Sequence, residues 1–196
     1  MTRRHTTGAR RRLATGLVAA LFLTFIAASP SQAVEQAPEE TVRTFYAWAL
    51  AHRSRGLPSP KERAQLANIL SPDIIQLLKS AFDTETKCVK AAPKGDKPLI
   101  VEGDLFVGNY EGATEVAYRD LRRNGDSVFV EADLIYIDTR FPKGHKHRAV
   151  AWKDRLELRL VGERWHVQDV RFAENRSLVA GLKAYIEEGS RSCTKP

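Results

Sequence analysis

The order of hydrophobic patterns in this sequence predicts an α+β domain. In it, N-terminal helices pack on a curved antiparallel sheet of about four strands, and a C-terminal helix closes the fold. Three observations support the prediction. Helical periodicity comes first, alternating strand patterns follow, and a helical pattern returns near the C-terminus. A run of helices followed by a run of strands is typical of an antiparallel sheet with its helices on one face.

The clearest strand pair lies in residues 152–172, with a turn at Gly162-Glu163. In its first arm, charged residues alternate with Leu156, Leu158 and Leu160, which predicts one buried and one solvated face. The second arm changes its apolar phase near Asp169, which indicates a bulge or a change of covering layer. We expect both tryptophans of this pair, Trp152 and Trp165, to pack in the core.

The helices before the sheet are indicated by their periodicity and by their starts. Residues 40–53 form an amphipathic pattern whose aromatic residues, Tyr46 among them, face the core or line a pocket. Ser59-Pro60 and Ser71-Pro72 each combine a capping hydroxyl with a proline at the first helical position. These starts predict helices over residues 60–70 and 72–84, and Ser177 predicts the cap of the last helix.

Two further strands are predicted over residues 114–121 and 127–137, joined by a hairpin at Asn124-Gly125. Both faces of the second strand are largely apolar, which predicts a central strand covered on both sides. Glu131 and Asp133 interrupt one of those faces. They are therefore expected at a solvated rim or in a polar cavity.

Residues 1–33 have the features of a secretory signal peptide. A basic segment precedes an apolar run over residues 13–28, and Ser31-Gln32-Ala33 offers small residues for cleavage before Val34. The sequence predicts a periplasmic or secreted protein, with residues 34–196 as a single domain and no membrane span after cleavage. It leaves open the choice between general secretion and twin-arginine export, and an uncleaved anchor is the alternative.

The charge of the chain is concentrated in this segment. The formal net charge is +7, but residues 1–33 hold five basic and no acidic residues, so 26 basic and 24 acidic residues remain, a net charge of +2. The two signs are mixed throughout those residues, without a basic stripe carrying interleaved aromatics. The sequence therefore excludes nucleic acid as the expected partner.

The only two cysteines, Cys88 and Cys193, are predicted to form a disulfide, because an even count in an exported chain favours pairing. Two free thiols or a catalytic cysteine are the alternatives. The pair His145 and His147 has no evident third ligand nearby, so no metal site is predicted.

Residues 88–112 connect the helices to the strands. The middle of this connection, residues 97–106, is predicted to be a structured loop or a short edge strand, because apolar residues recur in it. Loops carry function more often than cores do. Its carboxylates Glu102, Asp104 and Glu111 are therefore candidate site residues, with turn formation and solvation as the alternatives.

The chain resembles the nuclear transport factor 2-like cone, and within it a group of exported bacterial domains of unknown function. The resemblance depends on residues 44–48 of the first helix, Leu70-Ser71-Pro72, residues 102–106 with 110–112, and residues 165–170. It implies a pocket between the concave face of the sheet and the long helix. It implies no activity, because this fold carries isomerases, dehydratases and binding proteins.

The sequence assigns no catalytic residue and no cofactor. The expected function is that of a non-catalytic binding or interaction domain, whose partner is an unknown protein or small molecule, with a homodimer possible. The alternative is a small-molecule enzyme of the ketosteroid isomerase-like type, which requires a buried carboxylate with a raised pKa in an open pocket. Tyr46, Tyr118, Tyr136, Glu131 and Asp133 supply the residue types for such a site.

Overall fold

A computed structural model describes residues 37–53 and 56–193, the side chain of Asp120 excepted. The predicted signal peptide and its cleavage site lie outside the described residues. The helices are α1 (Pro38–His52), α2 (Pro60–Leu66), α3 (Pro72–Ala91) and α4 (Leu178–Ser192), with a 3-10 turn, η1 (Ala173–Asn175), before α4. The strands are β1 (Glu115–Asn124), β2 (Ser127–Ile137), β3 (Ala149–Val161) and β4 (Arg164–Arg171). Among these helices, none is long and apolar enough to cross a membrane.

The α+β prediction is confirmed. The four strands form one antiparallel sheet in the order β1-β2-β3-β4, which does not close into a barrel, and a single-residue bridge from Leu70 to Val167 adds a fifth partner beside β4. Each strand neighbours the next one in the chain, as short connections favour.

The serine caps form as predicted, but two helix ends differ from the sequence analysis. Ser59 and Glu62 make a reciprocal capping box, and the hydroxyl of Ser71 accepts the N–H of Ile74. α2 ends at Leu66 and not near residue 70, because residues 69–71 pair with β4: Val167 donates its N–H to the Ile69 carbonyl at 2.8 Å. α3 runs on to Ala91, past the expected end near residue 84.

The extra turns of α3 pack against α4. Gly189 of α4 is needed there, since a Cβ at this position would lie 2.1 Å from Cγ2 of Thr84. The disulfide between Cys88 and Cys193 is present and joins the ends of the two helices. The predicted pairing is thus confirmed, and it links residues 105 positions apart in the sequence.

The strand connections also follow the sequence. A two-residue turn begins at Gly125, whose φ of +58° lies in the left-handed region that glycine adopts without steric cost. In β4, Asp169 pairs with Glu157 while Val167 pairs with Leu158, which leaves Gln168 as an extra residue. This bulge explains the change of apolar phase near Asp169.

The core lies between the helices and one face of the sheet. Alternate residues of β2 are buried there, and the residues between them are half-buried or exposed. The prediction that β2 is covered on both sides is therefore wrong. β2 has a strand on each side, but the helices pack on only one of its faces. On the other face, long charged side chains of neighbouring strands cover apolar residues. The guanidinium of Arg155, for example, lies over the Phe129 ring at 5.7 Å.

Candidate functional site

The space under the sheet is filled with side chains. Phe45, Tyr46, Phe106 and Trp165 are all at most 1% exposed and pack with leucines from every helix and from β2 and β3. Edge-to-face ring pairs join Phe45 to Tyr46 and to Phe106 at centroid distances of 5.1 and 6.3 Å. Tyr46 is thus a core residue, as its place in the aromatic stripe allowed.

A cleft of about 470 Å³ lies outside this core, between the loop that precedes β1 and the end of β2. Two of the candidate carboxylates from the sequence, Glu102 and Glu111, line it. The other lining residues come from the end of α1, from the loop and from β2: Arg53, Ile100, Val101, Gly103, Tyr110 and Tyr136. A volume of this size is in the range of small-molecule sites.

The loop wall of the cleft is fixed to the helices. Glu85 of α3 accepts the N–H of Val101 at 2.8 Å, and the hydroxyl of Tyr185 donates to the Leu99 carbonyl at 3.1 Å. Burial, together with the neighbouring Glu85, raises the pKa of Tyr185 to about 12, so this hydroxyl remains a donor at neutral pH. These bonds hold the loop in place without a strand partner.

Gly103 shapes the floor of the cleft. It has a φ of +75°, and its carbonyl accepts the N–H of Gly56 at 2.9 Å. The ring of Tyr110 lies so close that a Cβ on Gly103 would come within 2.4 Å of it. One side of the ring is thus supported by the loop backbone, while 64% of Tyr110 is exposed to solvent.

The cleft carries charges of both signs. Lys97 binds Glu102 across 2.8 Å, and this hydrogen bond raises the pKa of Lys97. Arg53 and Glu111 have no oppositely charged partner within 4 Å among the described residues. An unpaired guanidinium and an unpaired carboxylate in one cleft can bind a ligand that offers both a negative and a positive group.

Asp104, the third loop candidate, has a structural role. Its carboxylate accepts the N–H of Phe106 at 2.8 Å, and its own N–H donates to the Tyr110 carbonyl at 2.9 Å. This local bonding is the turn-forming behaviour that aspartate shows in loops. Asp104 therefore positions Tyr110 beside the cleft and does not line it.

Glu131 and Asp133 lie on the outer face of the sheet, where Glu131 also lines a polar cavity of about 370 Å³ at the edge of β3. Asp133 binds Arg119 at 2.6 Å and Lys153 at 3.4 Å, and its pKa is lowered mainly by the Arg119 hydrogen bond. Glu131 is exposed. The structure does not bring these residues together with Tyr46 or with the cleft.

The most buried carboxylate among the described residues of the sheet is instead Asp154, which was not among the candidates from the sequence. It is 3% exposed, and its Oδ2 accepts the N–H of Gly108 at 2.8 Å and the indole N–H of Trp152 at 3.1 Å. The signal was present, because Asp154 shares the parity of Leu156 and Leu158 and so belongs to the buried face of β3.

Two buried side-chain atoms have no hydrogen-bond partner in the described part of the chain: Oδ1 of Asp154 and the hydroxyl of Tyr46. Burial raises the pKa of both groups, and the nearby Asp154 carboxylate raises that of Tyr46 further. Such unsatisfied atoms are uncommon and costly in a folded core.

The described residues contain no group of three or more His, Cys, Asp or Glu side chains arranged to hold a metal ion. His145 packs on the ring of Phe141 at 4.6 Å. Comparisons with protein families, with curated proteins and with solved structures find no match to this chain.

Proposed function

We propose that this chain is an exported binding domain without catalytic activity, which holds a small polar ligand in the cleft beside Tyr110. The proposal depends on one observation: the exposed ring of Tyr110, which the loop backbone supports, lines the same cleft as the unpaired side chains of Arg53 and Glu111. The ligand class that fits is a small zwitterion, whose anionic group pairs with Arg53 and whose cationic group pairs with Glu111. Tyr110 adds an apolar or cation–π surface between them.

The export part of the proposal is supported by the signal-like residues 1–33 and by the disulfide of Cys88 and Cys193, since such bonds persist in oxidising compartments. The nuclear transport factor 2-like cone is proposed on the order of helices, open antiparallel sheet and closing helix. The location we infer from the signal-like residues and the disulfide is periplasmic or secreted.

Nuclear magnetic resonance titration tests the ligand proposal. Amino acids and dipeptides are zwitterionic probes, and we expect at least one of them to shift backbone resonances of residues 100–103 and 110–111. Tyr110→Ala and Glu111→Gln should each weaken that binding measurably, by about three- to tenfold, as for one lost contact. Val89→Ala is the control, because Val89 is also exposed, at 51%, but lies on α3 away from the cleft lining.

Resonance shifts confined to other surfaces, or equal binding by Tyr110→Ala and the wild type, contradict the proposal. The same experiment separates a small-molecule ligand from a protein partner. A macromolecular partner would need a wider surface than the cleft offers. Sedimentation of the free chain tests the homodimer, for which the outer face of the sheet offers ion pairs in place of an apolar patch.

The second candidate is an enzyme of the ketosteroid isomerase-like type, and the unsatisfied pair Tyr46 and Asp154 is the observation that favours it. A buried carboxylate with a raised pKa is a feature of such sites. Against it, Phe45 and Phe106 fill the space beside Tyr46. Proton exchange from the α-carbon of a cyclic ketone, abolished by Asp154→Asn with the fold intact, would support this candidate, and no exchange above background would exclude it for that substrate class.

A further inference from the structure

β3 is longer than its neighbour β4, and this difference leaves part of its edge open. β4 pairs with residues 155–161 of β3. On that side the preceding residues, 149–154, have no strand partner, although β2 pairs with them on the other side. The open segment of six residues is about 20 Å long at 3.3 Å per residue.

The hydrogen-bonding groups of this segment alternate between the two sides. Asp138 donates its N–H to the Arg148 carbonyl at 2.7 Å in continuation of the β2–β3 ladder, so even-numbered residues of β3 face β2. Odd-numbered residues face the open side. The N–H and C=O groups of Ala149, Ala151 and Lys153 are therefore directed to the edge, and among the described residues no backbone group outside the strands pairs with them.

The other edges of the sheet are protected. Residues 69–71 pair with β4 through Val167. β1 has an irregular pairing between Arg119 and Arg122 and carries several arginines, and bulges and charges are both devices that blunt an edge. The open segment of β3 has no bulge and carries one exposed charged residue, Lys153. Before Lys153 it reads Ala-Val-Ala-Trp, and Val150 is 47% exposed.

The end of β4 and η1 border the open segment at its C-terminal end. After Phe172 the chain leaves the β4 ladder and forms η1, in which Glu174 and Asn175 are two consecutive residues with φ near +60°. Such a conformation is strained in residues other than glycine, and here it ends the pairing of β4 with β3 before residues 149–154. A second copy paired antiparallel on this segment would bring its own β4 against the connection between β2 and β3, so a single extended peptide fits better than a dimer.

The chemistry beside the edge indicates what the peptide carries. A cavity of about 370 Å³ lies where the open segment meets η1, and its lining includes Arg155 and Arg176. Three carboxylates, those of Glu131, Asp154 and Glu157, also line it, and Glu157 is paired with Arg171. The guanidinium of Arg155 lies over the Phe129 ring at 5.7 Å and that of Arg176 over the Phe172 ring at 6.0 Å, and neither has a carboxylate partner within 4 Å among the described residues. A carboxylate at the end of the added strand would complete this cavity.

We propose that the open edge of β3 is a docking site for an extended peptide of a partner protein. The peptide adds a strand beside residues 149–153, places apolar side chains next to Val150 and Trp152, and directs a carboxylate to Arg155 and Arg176. Main-chain hydrogen bonds supply the affinity in this mode of recognition, and the side-chain contacts supply the selectivity.

The test uses fluorescein-labelled hexapeptides in which Val or Ile alternates with Thr and the last residue is Glu, titrated into the mature chain with its disulfide intact. We expect saturable binding. Methylation of the peptide N–H groups that face β3 should weaken it by more than about tenfold, while methylation of the alternate N–H groups should have less effect. Exchange of Glu for Gln in the probe should weaken binding about two- to tenfold.

Ala151→Pro removes an N–H that faces the open edge and should abolish binding, because proline is tolerated on a free edge but cannot donate. Ala151→Ser is the matched comparison, since it changes the same side chain, keeps the N–H and should retain most of the binding. Far-ultraviolet circular dichroism checks that each variant folds, and the methylated probes need no variant at all. Absence of binding to any of these peptides, equal effects of the two methylation patterns, or self-association through this edge that Ala151→Pro disrupts would each overturn the proposal.

Discussion

Gly108 donates its backbone N–H to the carboxylate of Asp154 across 2.8 Å, which ties the loop before β1 to the buried face of β3. The two residues are 46 positions apart, and a Cβ on Gly108 would lie 2.5 Å from the other carboxylate oxygen. Only glycine therefore lets the loop approach this closely. The contact holds the end of the loop that leads into the candidate cleft.

Asp154→Ala should lower the free energy of unfolding by about 1–3 kcal/mol, because it leaves two part-buried donors, the Gly108 N–H and the Trp152 indole, without their acceptor. Asp154→Asn keeps an acceptor oxygen and should cost about 1 kcal/mol or less at acidic pH. Urea unfolding of the three proteins measures the difference. Equal costs for the two variants would show that these hydrogen bonds do not account for the role of Asp154.

The pH dependence of the same pair has a definite sign. Burial raises the pKa of Asp154, so the folded state keeps a proton that the unfolded chain releases near its ordinary pKa of about 3.9. The wild type therefore loses stability through this group as the pH rises from that value through the raised pKa. Asp154→Asn cannot ionise, and its stability relative to the wild type should improve from pH 4 to pH 7.

Unfolding at a series of pH values checks this sign. Carboxylates with lowered pKa values, such as Asp133 and Asp138, make the fold more stable as the pH rises. Both proteins contain them, so their contributions cancel when the stability of the wild type is subtracted from that of Asp154→Asn. A difference that is flat or grows less favourable to the variant would contradict a raised pKa at Asp154.

Two glycines of α4 provide a matched pair of substitutions. Gly189→Ala should destabilise the fold by about 1–3 kcal/mol, because the new Cβ would meet Thr84. Gly181→Ala should stabilise it by about 0.5–1 kcal/mol, because nothing lies within 4 Å and alanine is the better helix former. Thermal or urea unfolding distinguishes the two directions.

A second substitution tests the cause of the first. Thr84→Ser removes the methyl group that the new Cβ of Gly189→Ala would meet, so the double variant should recover part of the lost stability. Purely additive effects of the two changes would mean that the cost arises elsewhere in α4.

Reduction of the disulfide should lower the free energy of unfolding by about 4–5 kcal/mol on the loop-entropy model, since Cys88 and Cys193 are 105 residues apart. The paired change Cys88→Ala with Cys193→Ala should have a similar effect. Intact mass about 2 Da below that of the reduced chain, together with negligible thiol labelling of the unfolded, unreduced protein, verifies the bond. Stoichiometric labelling of both cysteines would refute it.

Local signals in the sequence were sufficient for the elements that local chemistry controls. The caps at Ser59 and Ser71 and the glycine of the first hairpin act within a few residues, so a reader of the sequence can locate them. The same holds for the bulge near Asp169, which appears as a change of apolar phase. The pairing of Cys88 with Cys193 needed only the count of cysteines and the expectation of export.

The features that sequence analysis missed depend on tertiary contacts. α3 continues past Thr84 because its polar turns face α4 and the loop near residues 99–101, and α2 stops early because the chain after it pairs with Val167. Glu102 and Glu111, which line the cleft, could be singled out as candidates because they lie in a loop in which apolar residues recur. Asp154 was missed because it is polar and precedes the leucines that mark the buried face of β3. It nevertheless lies two residues before Leu156, so the same alternation assigns it to the buried face.

The bond between residues 88 and 193 has one more consequence, which concerns proteolysis. All four strands lie within the covalent ring that it closes, and so does the exposed connection between β2 and β3 with its Lys143 and Lys146. A protease that recognises basic residues and cuts this connection once opens the ring without releasing a fragment. The nicked protein remains a single covalent molecule until a reductant separates its two pieces.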